Sequence, residues 1–224
     1  MANLNILKNV ATVAAVSTVA VMASTGKASA ITINFNGTPT TVFQPPGPTT
    51  LTGTQGGIQF TAEATANTSE SVFLVRNNLG LGILSGDNGD DNNQVDGLDI
   101  GESLRLTFNP QVKLLRAIFS AVDNNGTDDY IVSIPSSAFS QSGNISGQGN
   151  LITQGIYSVL ISGSPFAPTY VFSVTGADDD YFLKAVEVQP VPEPLTMGGI
   201  ALGATFGAYL RKRYSKKDEK LVKA

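Results

Sequence analysis

An all-β chain is predicted, an antiparallel β-sandwich or jelly-roll-like domain, and three observations predict it. Short segments rich in Val, Ile, Phe and Tyr recur through residues 31–189, separated by Gly, Asn, Asp and Ser turns. No stretch of that body carries a capped apolar face of period 3.6 and helical length. The chain's 23 glycines and only 14% charged residues suit a turn-dense sheet protein.

The strands follow in order. Ile31–Phe35 opens the body, and a Pro/Gly/Thr-rich connection runs through Thr50. Ile58–Ala64 alternates strictly, which places Ile58, Phe60 and Ala62 inward and Gln59, Thr61 and Glu63 outward. Val72–Val75 is a short apolar run, and Leu79–Leu84 a weaker one broken by Gly80 and Gly82. Ser103–Phe108 alternates again with Leu104, Leu106 and Phe108 on one face, whereas Leu114–Val122 is nearly continuous and reads as a central strand buried on both faces. Tyr130–Ile134, Ile156–Ile161, Thr169–Val174 and Tyr181–Val188 complete the set. Asp123–Asp129, Ser140–Asn150, Ser162–Pro168 and Gly176–Asp180 read as turns between them. No repeat of fixed period is visible.

Both ends read as addressing segments. Residues 1–30 have the order of a signal peptide: Lys8, the apolar run Val10–Ala23, then Ala28-Ser29-Ala30, with Ala28 and Ala30 forming an A-x-A cleavage site for signal peptidase. The 14 residues of the apolar run are few for an uncleaved anchor, so the mature chain is expected to begin at Ile31. After the body (31–189), residues 190–214 hold Val191-Pro192-Glu193-Pro194, the uncharged apolar segment Leu195–Leu210 and the basic cluster Arg211-Lys212-Arg213; residues 215–224 are a basic tail. Sixteen apolar residues make about 24 Å of helix. That is marginal for a hydrocarbon core of about 30 Å, and a single C-terminal transmembrane helix is expected. Gly199, Gly203 and Gly207 share one face of it, suited to close helix packing.

Charge divides the chain. Residues 31–190 carry five basic against fifteen acidic side chains, a net of −10, while residues 211–224 carry seven against two. Such asymmetry suits an exported acidic body with both ends retained on the cytoplasmic side. An acidic body repels phosphates, so nucleic acid is not an expected partner. The chain has no Cys, no His and no Trp. Disulfides, thiolate nucleophiles, Cys-ligated zinc and the Ser-His-Asp triad are thereby excluded.

One segment could carry cation chemistry. Between Gly86 and Glu102 lie Asp87, Asp90, Asp91, Asp96, Asp99 and Glu102, an oxygen-rich set of the kind Ca²⁺ prefers. It is no EF-hand, because Val95 falls where a third ligand is needed, and turn formation with a solvated acidic surface is the commoner cause of such a loop. Glu102 would then simply accept loop amides at the start of its strand. Asp123–Asp129 and Asp178-Asp179-Asp180 are further acidic loops that a sandwich could gather at one end. A carboxylate pair could serve a glycosidase, and Tyr130, Tyr157, Tyr170 or Tyr181 a sugar platform, although each suits a core position better.

The order Pro-Glu-Pro, apolar segment, basic cluster closely resembles the PEP-CTERM sorting signal of bacterial exported proteins. A second, less specific resemblance covers about 30 residues: Leu79-Gly80-Leu81-Gly82-Ile83, the acidic loop with Asp96-Gly97, and Gly101–Phe108 with its Glu102-Ser103-Leu104 opening. The resemblance implies an exosortase-type membrane peptidase as processing partner, acting near Val191, Pro192, Glu193 and Pro194. It implies a passage through the inner membrane to the cell-envelope surface or the medium. The function expected is that of a non-catalytic cell-surface or extracellular-matrix protein, not an enzyme and without a required cofactor. A carbohydrate- or calcium-binding module, with extracellular polysaccharide as partner, is the alternative, and a secreted glycoside-active enzyme the third.

Overall fold

The computed structural model describes residues 28–43, 49–66, 71–85, 93–97, 101–123, 127–176 and 179–192, together with 207, 208 and 211. The apolar run expected to form a signal peptide and nearly all of the apolar C-terminal segment lie outside these residues. Among those described, no helix is long and apolar enough to cross a membrane. The compact body spans Ala28–Val191, and it is all-β and antiparallel.

Its fourteen described strands are β1 (Ile31–Asn34), β2 (Thr41–Phe43), β3 (Thr50–Gln55), β4 (Ile58–Ala66), β5 (Phe73–Arg76), β6 (Leu81–Leu84), β7 (Val95–Asp96), β8 (Glu102–Ser120), β9 (Asp129–Ser133), β10 (Ser140–Asn144), β11 (Asn150–Thr153), β12 (Ile156–Leu160), β13 (Phe166–Ser173) and β14 (Asp180–Pro190). A single helical turn, Ile145–Gln148, follows β10 and is capped by the Asn144 side chain, which accepts from the Gly147 amide.

β8 organises the molecule. The sequence reads two strands here, Ser103–Phe108 and Leu114–Val122, and the structure joins them into one strand of 19 residues. Its first half pairs with β4 on one edge and β13 on the other, from Glu102↔Ala66 to Asn109↔Gln59 and from Ser103↔Ser173 to Thr107↔Thr169. Its second half pairs with β14, from Val112↔Pro190 to Ser120↔Phe182, and with β12 from Arg116↔Leu160 to Ser120↔Ile156. The exchange of β4 for β14 falls at Asn109-Pro110-Gln111, all exposed, while β13 runs past it to Ala167↔Val112 and Phe166↔Lys113 after a register shift. Proline offers no amide to a ladder, so pairing lapses where Pro110 stands. Two ladders therefore meet in one strand: β3-β4-β8-β13-β9-β10, and β11-β12-β8-β14 with β1, β6, β5 and β2 beyond.

The alternation read in β4 and in the first half of β8 holds, with Ile58, Phe60, Ala62, Leu104, Leu106 and Phe108 all buried. The second half of β8 departs from its expected burial on both faces. Leu115 and Ile118 are only half-buried, and the inward set changes from Val112 and Leu114 to Ala117 and Phe119. Leu115 is the cause. Leu114 opposes Val188 and Arg116 opposes Glu187, so Leu115 is an extra residue that flips the side-chain period. Its carbonyl accepts from the Ile161 amide at 2.9 Å.

Aromatic side chains join the ladders across the core. Phe35 meets Phe60 edge-on at 5.5 Å, and Phe119 lies 5.5 Å from Tyr130 and 4.7 Å from Tyr181. Full burial of such a side chain is worth about 1.5–3 kcal/mol, so these contacts add to β8 in holding the two ladders together.

Other departures are local. Ser140–Asn150, read as a turn, contains β10 and the helical turn, because paired backbone overrides the weak strand propensity of Ser, Gln and Gly. β2 lies inside the connection that precedes Thr50, β3 was not legible as a strand, and β13 starts within Ser162–Pro168. Gly82 is not a break, since β6 runs through it, whereas Leu79 and Gly80 fall before the strand. A Cβ on Gly80 would stand 2.5 Å from the Leu183 carbonyl oxygen, so the missing side chain is what lets β6 lie against β14.

Candidate functional site

The acidic segments meet at one end of the body. β7 pairs with the start of β14, placing Asp96 opposite Asp180 and Val95 opposite Tyr181. Asp128, before β9, takes backbone hydrogen bonds from Asp123 and Asp180 and feels the charges of Asp123 and Asp179. Described parts of three loops that are remote in sequence thus share one neighbourhood. Of the six carboxylates considered for a cation, Asp96 and Glu102 belong to it, while Asp87, Asp90, Asp91 and Asp99 lie outside the described residues.

The described carboxylates bind the protein's own backbone. Glu102, 1% exposed, accepts the Asp96 amide at 3.3 Å, the role expected of an acid at the start of its strand. Asp128 closes its loop by accepting the Asp123 amide at 2.5 Å, and its own carbonyl accepts the Ile145 amide at 2.8 Å. Asp179 accepts the Gly176 amide at 2.5 Å; the Thr175 hydroxyl lies 2.8 Å from Asp179 and 3.2 Å from Asp129, donating to one at a time. Gln94 donates its side-chain amide to Asp180. Among the described residues no three acidic side chains are grouped to hold a metal ion.

Burial pushes the Asp128 carboxyl up to about 6 from its ordinary 3.8, with the charges of Asp123 and Asp179 adding to it and the two amides opposing it. Burial likewise raises the Tyr181 hydroxyl, with the charge of Asp179 behind it. That hydroxyl donates to the Ser173 carbonyl at 3.0 Å. All four tyrosines considered as a sugar platform are core residues: Tyr130, Tyr170 and Tyr181 are fully buried and Tyr157 is 8% exposed. The sequence marks Asp128 only as one member of the acidic loop Asp123–Asp129 and does not single out its burial; its place before Tyr130, where a strand entry could bury it, is the signal for that.

Of the residues expected to form a sorting signal, Val191 and Pro192 are described and Glu193 and Pro194 are not. The Val191 amide donates to the Gln111 carbonyl at 3.0 Å, and Pro192 is exposed. At the other end Ala28 is half-buried and its carbonyl accepts from the Gln189 side chain at 3.0 Å, while Ser29 and Ala30 are exposed.

Fold and site together define a class: an antiparallel all-β protein whose acidic end is cross-tied by carboxylate–amide bonds. Comparison with protein-family models, with characterised proteins and with solved structures returns no match for the chain.

Proposed function

We propose that the chain is a non-catalytic exported protein of the cell envelope, a two-layer β-sandwich delivered and processed through its C-terminal Pro-Glu-Pro signal. The observation that carries this reading is the order of features after the body: Pro192-Glu193-Pro194, 16 uncharged residues, then Arg211-Lys212-Arg213. Proline disfavours a continuing helix, and a Pro-x-Pro sequence suits recognition by a peptidase in extended form. The last tie of the body, Val191 to Gln111, falls immediately before the motif. The sandwich reading rests on the exchange of partners along β8 and the aromatic contacts across the core.

The non-catalytic reading is supported by the absence of His and Cys and by carboxylates that are engaged with backbone amides. The test is Pro192→Ala/Glu193→Ala/Pro194→Ala in a host carrying an exosortase-type peptidase. The variant is expected at the inner membrane and larger by roughly 30 residues, the length of chain beyond the motif, while the unmodified protein reaches the surface or medium. Equal size and location for the two would reduce the tail to a plain anchor.

A further inference from the structure

The outer face of the β3-β4-β8-β13 ladder carries a rank of threonines that only strand register reveals. Thr52 stands opposite Thr61, Thr61 opposite Thr107, and Thr107 opposite Thr169. Four strands therefore present the same side chain in one line across the sheet. At about 4.8 Å between strands the line is about 14 Å long. Thr52 and Thr107 are exposed, Thr61 and Thr169 half-buried. The Thr107 and Thr169 hydroxyls lie 3.4 Å apart; those of Thr52 and Thr61 make no hydrogen bond among the described residues. The next rank, about 6.7 Å along the strands, holds Thr54, Gln59 and Asn109, with the last two amides 3.5 Å apart.

Charge selects the occupant. The body as a whole carries −10, yet the rank on the other side of the threonines contributes only Glu63 and Arg105, which stand opposite each other and cancel. A polyanion would be repelled by the rest of the body, and a cation would find its attraction at the acidic end instead. What remains matched to a neutral array of hydroxyls and amides is an uncharged chain of hydroxyls. Threonine suits the purpose, because its β-branch restricts the side-chain torsion and little rotamer freedom is lost on binding.

We propose that this face binds an uncharged polysaccharide, laid along the threonine rank and held by hydroxyl-to-hydroxyl hydrogen bonds without an aromatic platform. The proposal rests on the reading of the body as an exported, non-catalytic cell-envelope protein and names a partner class for it. It is tested in vitro, so its failure leaves the sorting signal untouched, and a missorted tail variant still binds.

The full chain, recovered from an exporting host, is titrated against cellulose, curdlan and cross-linked dextran, with alginate as the acidic comparison. Binding to at least one uncharged glycan is expected, with affinity unchanged between about 0.1 and 1 M NaCl because no net charge is engaged. Thr52→Val/Thr61→Val/Thr107→Val/Thr169→Val keeps the β-branch and the strand propensity while removing every hydroxyl of the rank. It is expected to weaken binding at least tenfold at an unchanged melting temperature. Should the fourfold variant melt early, Thr52→Val/Thr61→Val, which removes hydroxyls with no hydrogen bond among the described residues, is expected to weaken binding severalfold at the native melting temperature. Superimposable isotherms for native and variant proteins, no retention on any of the three uncharged glycans, or loss of binding at high salt would each overturn the proposal. So would a native dimer that the valines dissociate, which would assign the face to a second copy of the chain.

Discussion

Asp128 combines 2% exposure with two backbone amides and two neighbouring carboxylates. Because its carboxyl titrates near 6 in the folded chain and near 3.8 when unfolded, the folded state holds the proton more tightly. The resulting stability is fully present below about pH 4 and is lost as pH rises through about 6, at most about 3 kcal/mol for a shift of this size. Asp128→Asn keeps an oxygen to accept the Asp123 amide and removes the ionisation. The variant is expected to be the more stable protein at neutral pH, and its advantage should vanish on acidification to about pH 4. Urea midpoints measured across that range check this, and parallel curves for the two proteins would show that Asp128 does not titrate there. The Arg116–Glu187 pair, at 3.2 Å, is too exposed to contribute comparably.

Among the elements, β8 depends on Tyr170 of β13 to hold its second half in place. The Tyr170 hydroxyl is buried, 2.7 Å from the Pro165 carbonyl, 3.0 Å from the Val112 carbonyl and 2.9 Å from the Ser164 hydroxyl, and it accepts the Leu114 amide at 3.2 Å. Val112 and Leu114 lie just beyond the exposed Pro110, where β13 resumes its pairing with β8 after a register shift. Tyr170→Phe keeps the ring packed 6.3 Å from Phe108 and strands these polar groups without water. A loss of about 1–3 kcal/mol is expected, read as a lower denaturant midpoint at unchanged slope. A midpoint equal to that of the native protein would mean this stretch is held by packing alone. β4 and the first half of β8 were legible because inward and outward residues alternate in them. The joining of its halves was not, since Asn109-Pro110-Gln111 reads locally as a break, and neither was the Leu115 bulge, since an extra apolar residue in an apolar run leaves no trace in pattern.

For the whole molecule, both ends of the body belong to one neighbourhood. β1 pairs with β14 from Ile31↔Val188 to Asn34↔Ala185, and Gln189 reaches back to Ala28. Cleavage after Ala30 would release Ala28 and its contact with Gln189 while leaving the β1 ladder whole. The exported protein is therefore expected to begin at Ile31 and to melt cooperatively. N-terminal sequencing with a thermal melt checks both, and a mature chain that retains Met1 would contradict the signal-peptide reading.

The sequence by itself determined the all-β class, the inward faces of β4 and the first half of β8, and the acidic character of the loops. Each of these follows from residue period or composition within a few positions of the chain. It also carried the order of the C-terminal features, which owes nothing to folding. Only the tertiary structure decided which carboxylates meet, because Asp96 comes to Asp180 through a strand pairing across 84 residues. It alone decided that the tyrosines are spent in the core. It also aligned Thr52, Thr61, Thr107 and Thr169, since register between strands is set by the pairing of whole hydrophobic faces and the residues of the rank carry no mark of it.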